Sequence, residues 1–240
     1  MAQATFVDGT KFSGIAGTVY YISADVRDVS VKSIAGTVKD SSYSGVNGTF
    51  FNSDGSLLGI ALGPDGVAVR AGGDKTPKGY SRGTLFCYDP EDEPDNVTCS
   101  AHVVTKPSEY PGKTGWIRWA IGGLSLHLRS NFSSSDAYYD KLNSEESTSN
   151  IGDPSSSRER TFIGYKPSNK RIVMGILLDG EAWEVRTILK NLGCTEGVML
   201  DSGSSTSMKG KKGSSNTAIT RGNTGTRVYN MVAVTPTSWA

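Results

Sequence analysis

The chain of 240 residues is poor in the residue types that build disulfide scaffolds and metal centres, with three cysteines and two histidines. Three cysteines are too few for a disulfide framework. His102 and His127 stand alone, outside any spacing that is typical of metal ligands. We therefore expect no structural metal and no cofactor, although the sequence leaves a bound ion near Asp201 open.

The chain also lacks an excess of one charge and any long apolar run. It carries 25 Lys and Arg against 24 Asp and Glu, whereas a nucleic-acid-binding protein usually shows a basic excess or stripe. No apolar run approaches the ~20 residues that span a bilayer, and residues 1–5 do not resemble a secretory signal. We expect no nucleic-acid partner, no membrane span, and a cytoplasmic or phage-associated location; the oligomeric state is left open.

Glycine is abundant, at 29 residues of 240, and it divides the first half of the chain into short predicted strands. These strands are residues 18–24, 57–62, 67–70, 84–88 and 102–105. Cys87 and Cys99 flank an acidic loop, and two strands around that loop would bring them together. Whether they form a disulfide is left open, because the redox compartment is unknown.

The second half predicts a strand, a helix and a second strand. Residues 171–178 form an apolar strand, and residues 181–192 carry apolar side chains at helical spacing before Gly193 ends the helix. Residues 197–200 form the next strand and lead directly into Asp201. This order places Asp201 at the carboxyl end of a strand, where α/β folds usually bind ligands. Residues 227–234 predict a last strand.

Residues 130–157 are polar, rich in serine and too long for an ordinary connection. Because their composition is too polar to build a core, we expect a mobile flap or lid near the functional site. The whole pattern predicts one α+β domain over residues 1–240, with a mixed β-sheet, few helices and this long polar insertion.

Two segments carry residues that suit the binding of an anion. Residues 201–205 place backbone N–H groups and hydroxyls next to a carboxylate, although a polar turn without function explains them equally well. Arg158 and Arg160 would point the same way on an extended strand, and arginine can bind two phosphate oxygens at once. A solvated strand edge is the alternative for this pair.

Six segments in one order resemble the phosphodiester glycosidase family. They are residues 47–51 (Asn-Gly-Thr-Phe-Phe), 120–124 (Ala-Ile-Gly-Gly-Leu), 160–164 (Arg-Thr-Phe-Ile-Gly), 184–193 (a helix ending in Leu-Gly), 201–208 (Asp-Ser-Gly-Ser-Ser-Thr-Ser-Met) and 227–230 (Arg-Val-Tyr-Asn). Ser202 and Ser204 stand where the family has glycine. Since glycine adopts positive φ freely, we expect strain at both serines, and the substrate is left open.

The resemblance implies a bacterial or phage hydrolase that cleaves the C1–O bond of a sugar-1-phosphodiester, such as one of N-acetylglucosamine, in a small molecule or a polysaccharide. It implies that Asp201 is the carboxylate facing the sugar and that Arg160 and Arg227 hold the phosphate. Glu184 is a second candidate carboxylate, with helix pairing as the alternative. The remaining implied ligand contacts are Asn47, Thr161, Gly203, Ser204 and Ser205.

Two other classes of protein explain part of the pattern. A noncatalytic carbohydrate-binding or phage structural module would bind without turnover. A chymotrypsin-like serine protease would use Ser202 as its nucleophile, since residues 200–203 (Leu-Asp-Ser-Gly) resemble the Gly-Asp-Ser-Gly-Gly of that class. No glycine precedes Asp201, however, and a helix predicted at 181–192 would not suit an almost entirely β fold.

Overall fold

The computed structural model describes residues 3–90, 96–148, 151–213 and 217–240, which form three β-sheets and two α-helices. The six-stranded sheet contains, in spatial order, β1 (Thr5–Thr10), β2 (Thr18–Asp25), β11 (Arg171–Gly180), β10 (Arg158–Lys166), β12 (Glu196–Met199) and β9 (Leu124–Ser125). The five-stranded sheet contains β14 (Ala218–Gly222), β13 (Ser207–Lys211), β4 (Ser44–Asn47), β15 (Val228–Val234) and β3 (Val29–Gly36). The four-stranded sheet contains β5 (Ala61–Leu62), β8 (Ile117–Gly122), β6 (Arg82–Tyr88) and β7 (Thr98–Val104).

The six-stranded sheet is buried on both faces, which explains the continuous apolar runs of its central strands. Alternate side chains of β10 show this, because Ile163 joins a core shared with the other two sheets while Phe162 faces a second core beneath the helices. The helices are α1 (Ser135–Glu145) and α2 (Ala182–Asn191). Neither is long and apolar enough to cross a membrane, nor is any other helix of the described residues.

Helix α2 forms where its sequence predicts a helix. Val185, Ile188 and Leu189 bury one face, and the helix begins with a capping box in which the Glu181 N–H donates to Glu184 (2.9 Å). It ends before Gly193, whose φ of +82° suits glycine. The observed bounds lie within one residue of the predicted 181–192.

The predicted mixed sheet is wrong, because all strand pairs within the three sheets are antiparallel. The reason is the position of β10, which lies between β11 and β12 and pairs with both. The strands on either side of α2 therefore run in the same direction without being neighbours. The fold is mostly β with two helices, and Asp201 still follows the carboxyl end of β12.

The predicted first-half strands fall on observed strands with two exceptions. Residues 18–24, 84–88 and 102–105 correspond to β2, β6 and the end of β7. Residues 57–62 and 67–70 yield only the two-residue β5 and isolated bridges at Leu57 and Ala68. Gly59, Gly63 and Pro64 interrupt this region, which prevents a longer ladder.

The segment 130–157 is less polar in effect than its composition suggests. Tyr138 and Leu142, four residues apart on α1, are fully buried in the core beneath the helices, and the Tyr138 hydroxyl donates to the Ser125 carbonyl (3.1 Å). The expectation that this segment builds no core is therefore wrong. Its role as a lid stays a prediction, and residues 149–150 lie outside the described part.

The three cysteines are buried free thiols. Cys87 and Cys99 lie directly opposite each other on β6 and β7, as the flanking loop predicts, but they are not bonded. Burial raises the pKa of the Cys99 thiol well above its usual value. Cys194 is buried after α2.

Candidate active site

Asp201 lies where the six-stranded and five-stranded sheets meet. The Leu200 N–H donates to the Thr161 carbonyl on β10 (2.8 Å), and the Asp201 N–H donates to the Gly48 carbonyl just after β4 (3.1 Å). Residues 201–206, which we call the Asp201 loop, then lead into β13 of the second sheet. The backbone of the loop is thus anchored to both sheets.

Asn47, the last residue of β4, links the two sheets at this junction through its side-chain amide. Its Nδ2 donates to the Asp201 carbonyl (2.7 Å), and its Oδ1 accepts from Thr161 Oγ1 (2.8 Å) and from the Ser207 N–H (3.0 Å). Asn47 and Thr161 are buried. The structure therefore brings Asn47, Thr161 and Asp201 together, as the sequence predicts, with the first two bonded to the protein itself.

Asn230 is a second anchor, which sequence reasoning missed. Its side chain accepts from the Thr49 N–H (2.8 Å) and donates to the Thr49 carbonyl (3.1 Å). Gly48 is required here, because a Cβ at that position would lie 1.7 Å from Asn230 Oδ1. The signal available in the sequence was an asparagine within the mostly apolar run of residues 228–234, because a polar side chain in such a run is usually hydrogen-bonded.

The Asp201 carboxylate is half-buried at the surface of this network. Its Oδ1 accepts from the Ser202 N–H (3.0 Å), and the Ser205 hydroxyl also hydrogen-bonds to it. Desolvation raises its pKa to about 6, and the bonds from Ser205 and Ser202 oppose this rise. The carboxylate is therefore mostly ionised at pH 7, in surroundings that solvate its charge poorly.

The serines of the loop are not strained. Ser202 has φ −133°, and Ser204 is absent from the non-glycine residues with positive φ among those described. Only Gly203 (φ +65°) needs the left-handed conformation, and it is glycine. The expected strain at both serines is therefore wrong. Ser204 is exposed and Ser205 is buried.

Ser202 has no histidine partner of the kind that a serine protease needs. Its hydroxyl donates to the Leu200 carbonyl (2.9 Å) and accepts from the Thr161 N–H (3.3 Å). His102 Nε2 instead lies 2.9 Å from Ser100 Oγ. This arrangement, together with helix α2, disfavours the protease reading.

Arg160 does not reach the Asp201 carboxylate. Its guanidinium donates to the backbone carbonyls of Gly180 (3.1 Å), Asp153 (3.0 Å), Pro154 (3.1 Å) and Ser156. It is 1% exposed, and desolvation lowers its pKa to about 10. Arg160 fastens residues 152–157, which we call the strap, to the end of β11.

Arg158 and Arg160 both extend to the strap, which agrees with the expectation that they point the same way. Arg158 Nε donates to Ser156 Oγ (3.0 Å), and Arg160 donates to the Ser156 carbonyl. The pairing with β11 shifts register between them, since Arg158 lies opposite Gly180 and Arg160 opposite Leu177, and the additional residue of this bulge is on β11. The side chain of Arg158 also passes Gly203 of the Asp201 loop, where a Cβ would lie 3.8 Å from Arg158 Cδ.

Arg227 and Glu184 have other partners. Arg227 is exposed at the start of β15, with its guanidinium 5.4 Å from the ring centre of Tyr229. Glu184 accepts the Glu181 N–H within the capping box of α2, which agrees with a structural role in the helix. Among the described residues, no group of His, Cys, Asp and Glu is arranged to hold a metal ion.

Comparisons with known proteins agree with this architecture. The catalytic domain of zebrafish N-acetylglucosamine-1-phosphodiester alpha-N-acetylglucosaminidase, auto-inhibited by its pro-peptide, superposes with a TM-score of 0.66 at 12% identity, covering 97% of this chain and 82% of that one. A hypothetical protein from Synechocystis superposes with a TM-score of 0.58 at 13% identity, covering 95% and 61%. No curated protein sequence matches. The sequence pattern of the phosphodiester glycosidase family matches residues 40–235, and this protein therefore belongs to that family.

Proposed function

We propose that this protein hydrolyses the bond between the anomeric carbon of a sugar and the phosphate of a sugar-1-phosphodiester. The C1–O bond breaks, water supplies the hydroxyl that ends on C1, and the phosphate leaves as a monoester. Family membership supports this reaction class. The observation that carries it is Asp201, a half-buried residue at the junction of two sheets whose carboxylate accepts from the Ser202 N–H.

Asp201 acts in its ionised form. As the C1–O bond breaks, positive charge develops at the sugar carbon and ring oxygen, and a nearby carboxylate stabilises or captures it, or activates water. Poor solvation strengthens this interaction, because the charge is not screened by bulk water. The hydrogen bonds from Ser202 and Ser205 fix the direction in which the carboxylate points.

Asn47 and Thr161 are positioning residues in this proposal. They bond to each other and to the backbone of the Asp201 loop, and so they act through Asp201 rather than on the ligand. Gly203, Ser204 and Arg227 remain predicted ligand contacts, with Ser204 and Arg227 exposed. A phosphate leaving group needs little proton donation, which is why a helix-capping role for Glu184 leaves the mechanism intact.

The test is hydrolysis of the methyl diester of α-N-acetylglucosamine 1-phosphate in water enriched in oxygen-18. This sugar is the first choice because the zebrafish relative is named for it. We expect the label in the released sugar and none in methyl phosphate, with Asp201→Asn as the inactive control.

Label in the phosphate would mean P–O cleavage and would contradict the proposal. Binding of the diester without turnover, in a protein that is fully folded by circular dichroism, would favour a noncatalytic carbohydrate-binding module instead. Other sugar-1-phosphodiesters, tested in the same way, then define the sugar and the aglycone.

A further inference from the structure

Two arginines of β10, two positions apart, differ in burial and in the number of hydrogen bonds that they donate. Arg160 is buried and its guanidinium is bonded to four backbone carbonyls. Arg158 is half-buried, and its Nε donates to Ser156 Oγ (3.0 Å). Within the described part of the chain, the two terminal nitrogens of Arg158 donate no hydrogen bond. The guanidinium of Arg160 is therefore bonded to the protein itself, whereas that of Arg158 has donors available for a ligand.

Two glycines enclose the Arg158 side chain between the strap and the Asp201 loop. A Cβ at Gly152 would lie 2.6 Å from Arg158 Nη1, and one at Gly203 would lie 3.8 Å from Arg158 Cδ. Both glycines have positive φ, of +74° and +65°. Gly152 thus provides a close backbone surface behind the guanidinium, and Gly203 is only two residues from Asp201.

The charges around Arg158 leave room for an anion. Arg160 is a nearby cation, because the charge of Arg158 adds to the effect of desolvation in lowering the pKa of Arg160. Its guanidinium already donates to backbone carbonyls, including that of Gly180. Asp153 is a nearby carboxylate whose Oδ1 already accepts from the Ser155 N–H and hydroxyl (2.8 and 2.7 Å). These bonds lower its pKa, and the charge of Arg158 lowers it further. No direct ion pair between Arg158 and an acidic side chain is present in the described ranges.

We propose that Arg158, rather than Arg160, binds the phosphate of the substrate, with Gly152 and Gly203 shaping its subsite. This inference rests on the proposed hydrolysis of a sugar-1-phosphodiester. The planar fork of a guanidinium can donate from both terminal nitrogens to two phosphate oxygens. Arg158 and Asp201 then flank Gly203, so that the phosphate lies on the side of the strap and C1 faces the carboxylate.

The charge change of the reaction suits this assignment. A phosphodiester carries one negative charge, and the monoester product carries between one and two near neutral pH. Negative charge therefore grows on the phosphate in the transition state, and a free guanidinium stabilises it more than it stabilises the substrate. A guanidinium already occupied by four carbonyls, as in Arg160, would first have to give up those bonds.

The experiment compares Arg158→Gln and Arg158→Lys with the matched surface variant Arg118→Gln, on the exposed side of β8. Inorganic phosphate serves as the probe, both as an inhibitor of turnover and as a ligand in calorimetry. We expect Arg158→Gln to weaken phosphate binding and to lower kcat/KM, each about 10- to 100-fold, with an unchanged melting temperature. Lysine should restore only part of this loss, and Arg118→Gln should behave as wild type.

A second variant moves the guanidinium without removing its charge. Gly152→Ala places a methyl group against Nη1, so that the side chain must shift. We expect it to weaken phosphate binding in the same direction as Arg158→Gln, and to have little further effect when combined with Arg158→Gln.

The outcomes separate this inference from the proposed function. Wild-type turnover that Arg158→Gln leaves unchanged overturns the assignment of Arg158 and leaves the reaction standing. Phosphate binding that depends on Arg158, in a protein that hydrolyses no sugar-1-phosphodiester, supports the subsite and overturns the reaction. A wild-type protein that neither binds phosphate nor turns over substrate overturns both.

Discussion

Asp201 and Glu146 both have a pKa that is raised by burial, and they differ in what surrounds the carboxylate. Asp201 is half-buried at the junction of two sheets, and burial raises its pKa to about 6. Glu146, at the end of α1, is 4% exposed, and burial raises its pKa to about 8. Glu146 accepts the N–H groups of Gly83 (2.5 Å) and Ser125 (3.0 Å). Burial shifts the pKa of both groups, but Asp201 as a residue is partly exposed, whereas Glu146 is not.

The surroundings of Glu146 are those of a structural tether. Its backbone partners belong to β6 and β9, so that it fastens α1 to two sheets. The charge of Arg82 opposes the rise in its pKa and Glu145 adds to it, while His127 Nε2 lies 3.8 Å from its Oε1. A shifted pKa therefore does not by itself indicate catalysis; the two residues differ in exposure and in how many backbone N–H groups hold the carboxylate.

The same chemical change at each carboxylate gives the largest contrast. Asp201→Asn removes the charge that faces the sugar, and we expect at least about a 100-fold loss of turnover with little change in melting temperature. Glu146→Gln should leave kcat within about twofold of wild type, because Glu146 touches no ligand in this proposal. Steady-state kinetics on the same diester measure both. Equal losses in the two variants would mean that access does not distinguish these carboxylates.

The pH profile of activity sharpens the role of Asp201. Because the ionised carboxylate is the active form, we expect kcat/KM to fall about tenfold per pH unit below a pKa near 6. Glu146→Gln should leave this acid limb in place. A profile that stays flat down to pH 4.5, measured where the protein remains folded, would argue against an ionised Asp201 in catalysis.

The pH profile of stability concerns Glu146. Its pKa is higher in the folded than in the unfolded protein, so the folded state binds more protons between its ordinary value of 4.5 and about 8. The free energy of unfolding should therefore fall as pH rises through that window, by up to about 1.4 kcal/mol per unit from this group. Glu146→Gln should reduce the slope up to pH 8, and Asp201→Asn only below about 6. Urea unfolding at several pH values measures this, and an unchanged slope in Glu146→Gln would contradict it.

The smallest expected effect is at Ser202. Glycine is the residue of the family there, and the hydroxyl bonds only to the backbone of the protein. We expect Ser202→Gly to hydrolyse the diester within about threefold of wild type, with a stability loss of about 1 kcal/mol for the lost hydrogen bonds. Peptidase activity that labels with a serine-directed phosphonate and disappears in this variant would restore the protease reading.

Several features of the fold could be predicted from local sequence. Helix α2 could be predicted because apolar spacing, a capping box and Gly193 all lie within thirteen residues and indicate the same helix. The meeting of residues near 47, 161 and 201 followed from the resemblance to a family whose motifs come in one order.

Other features depended on contacts that are distant in the chain. The position of β10 between β11 and β12 is a choice of partner, and no local pattern specifies it. Residue spacing also could not show that Arg160 is bonded to backbone carbonyls of the strap and of β11, whereas Arg158 donates only from Nε to Ser156 Oγ.

Local sequence by itself determined helix α2 and most strands, because periodicity, turns and caps act over a few positions. Tertiary structure alone decided which polar groups are consumed by the protein and which stay open. Arg160, Asn47 and Glu146 bond to partners 4 to 160 positions away, whereas the two terminal nitrogens of Arg158 donate no hydrogen bond within the described residues. The physical reason is that burial desolvates a polar group whatever its type, and only the folded arrangement determines whether protein atoms replace the lost water.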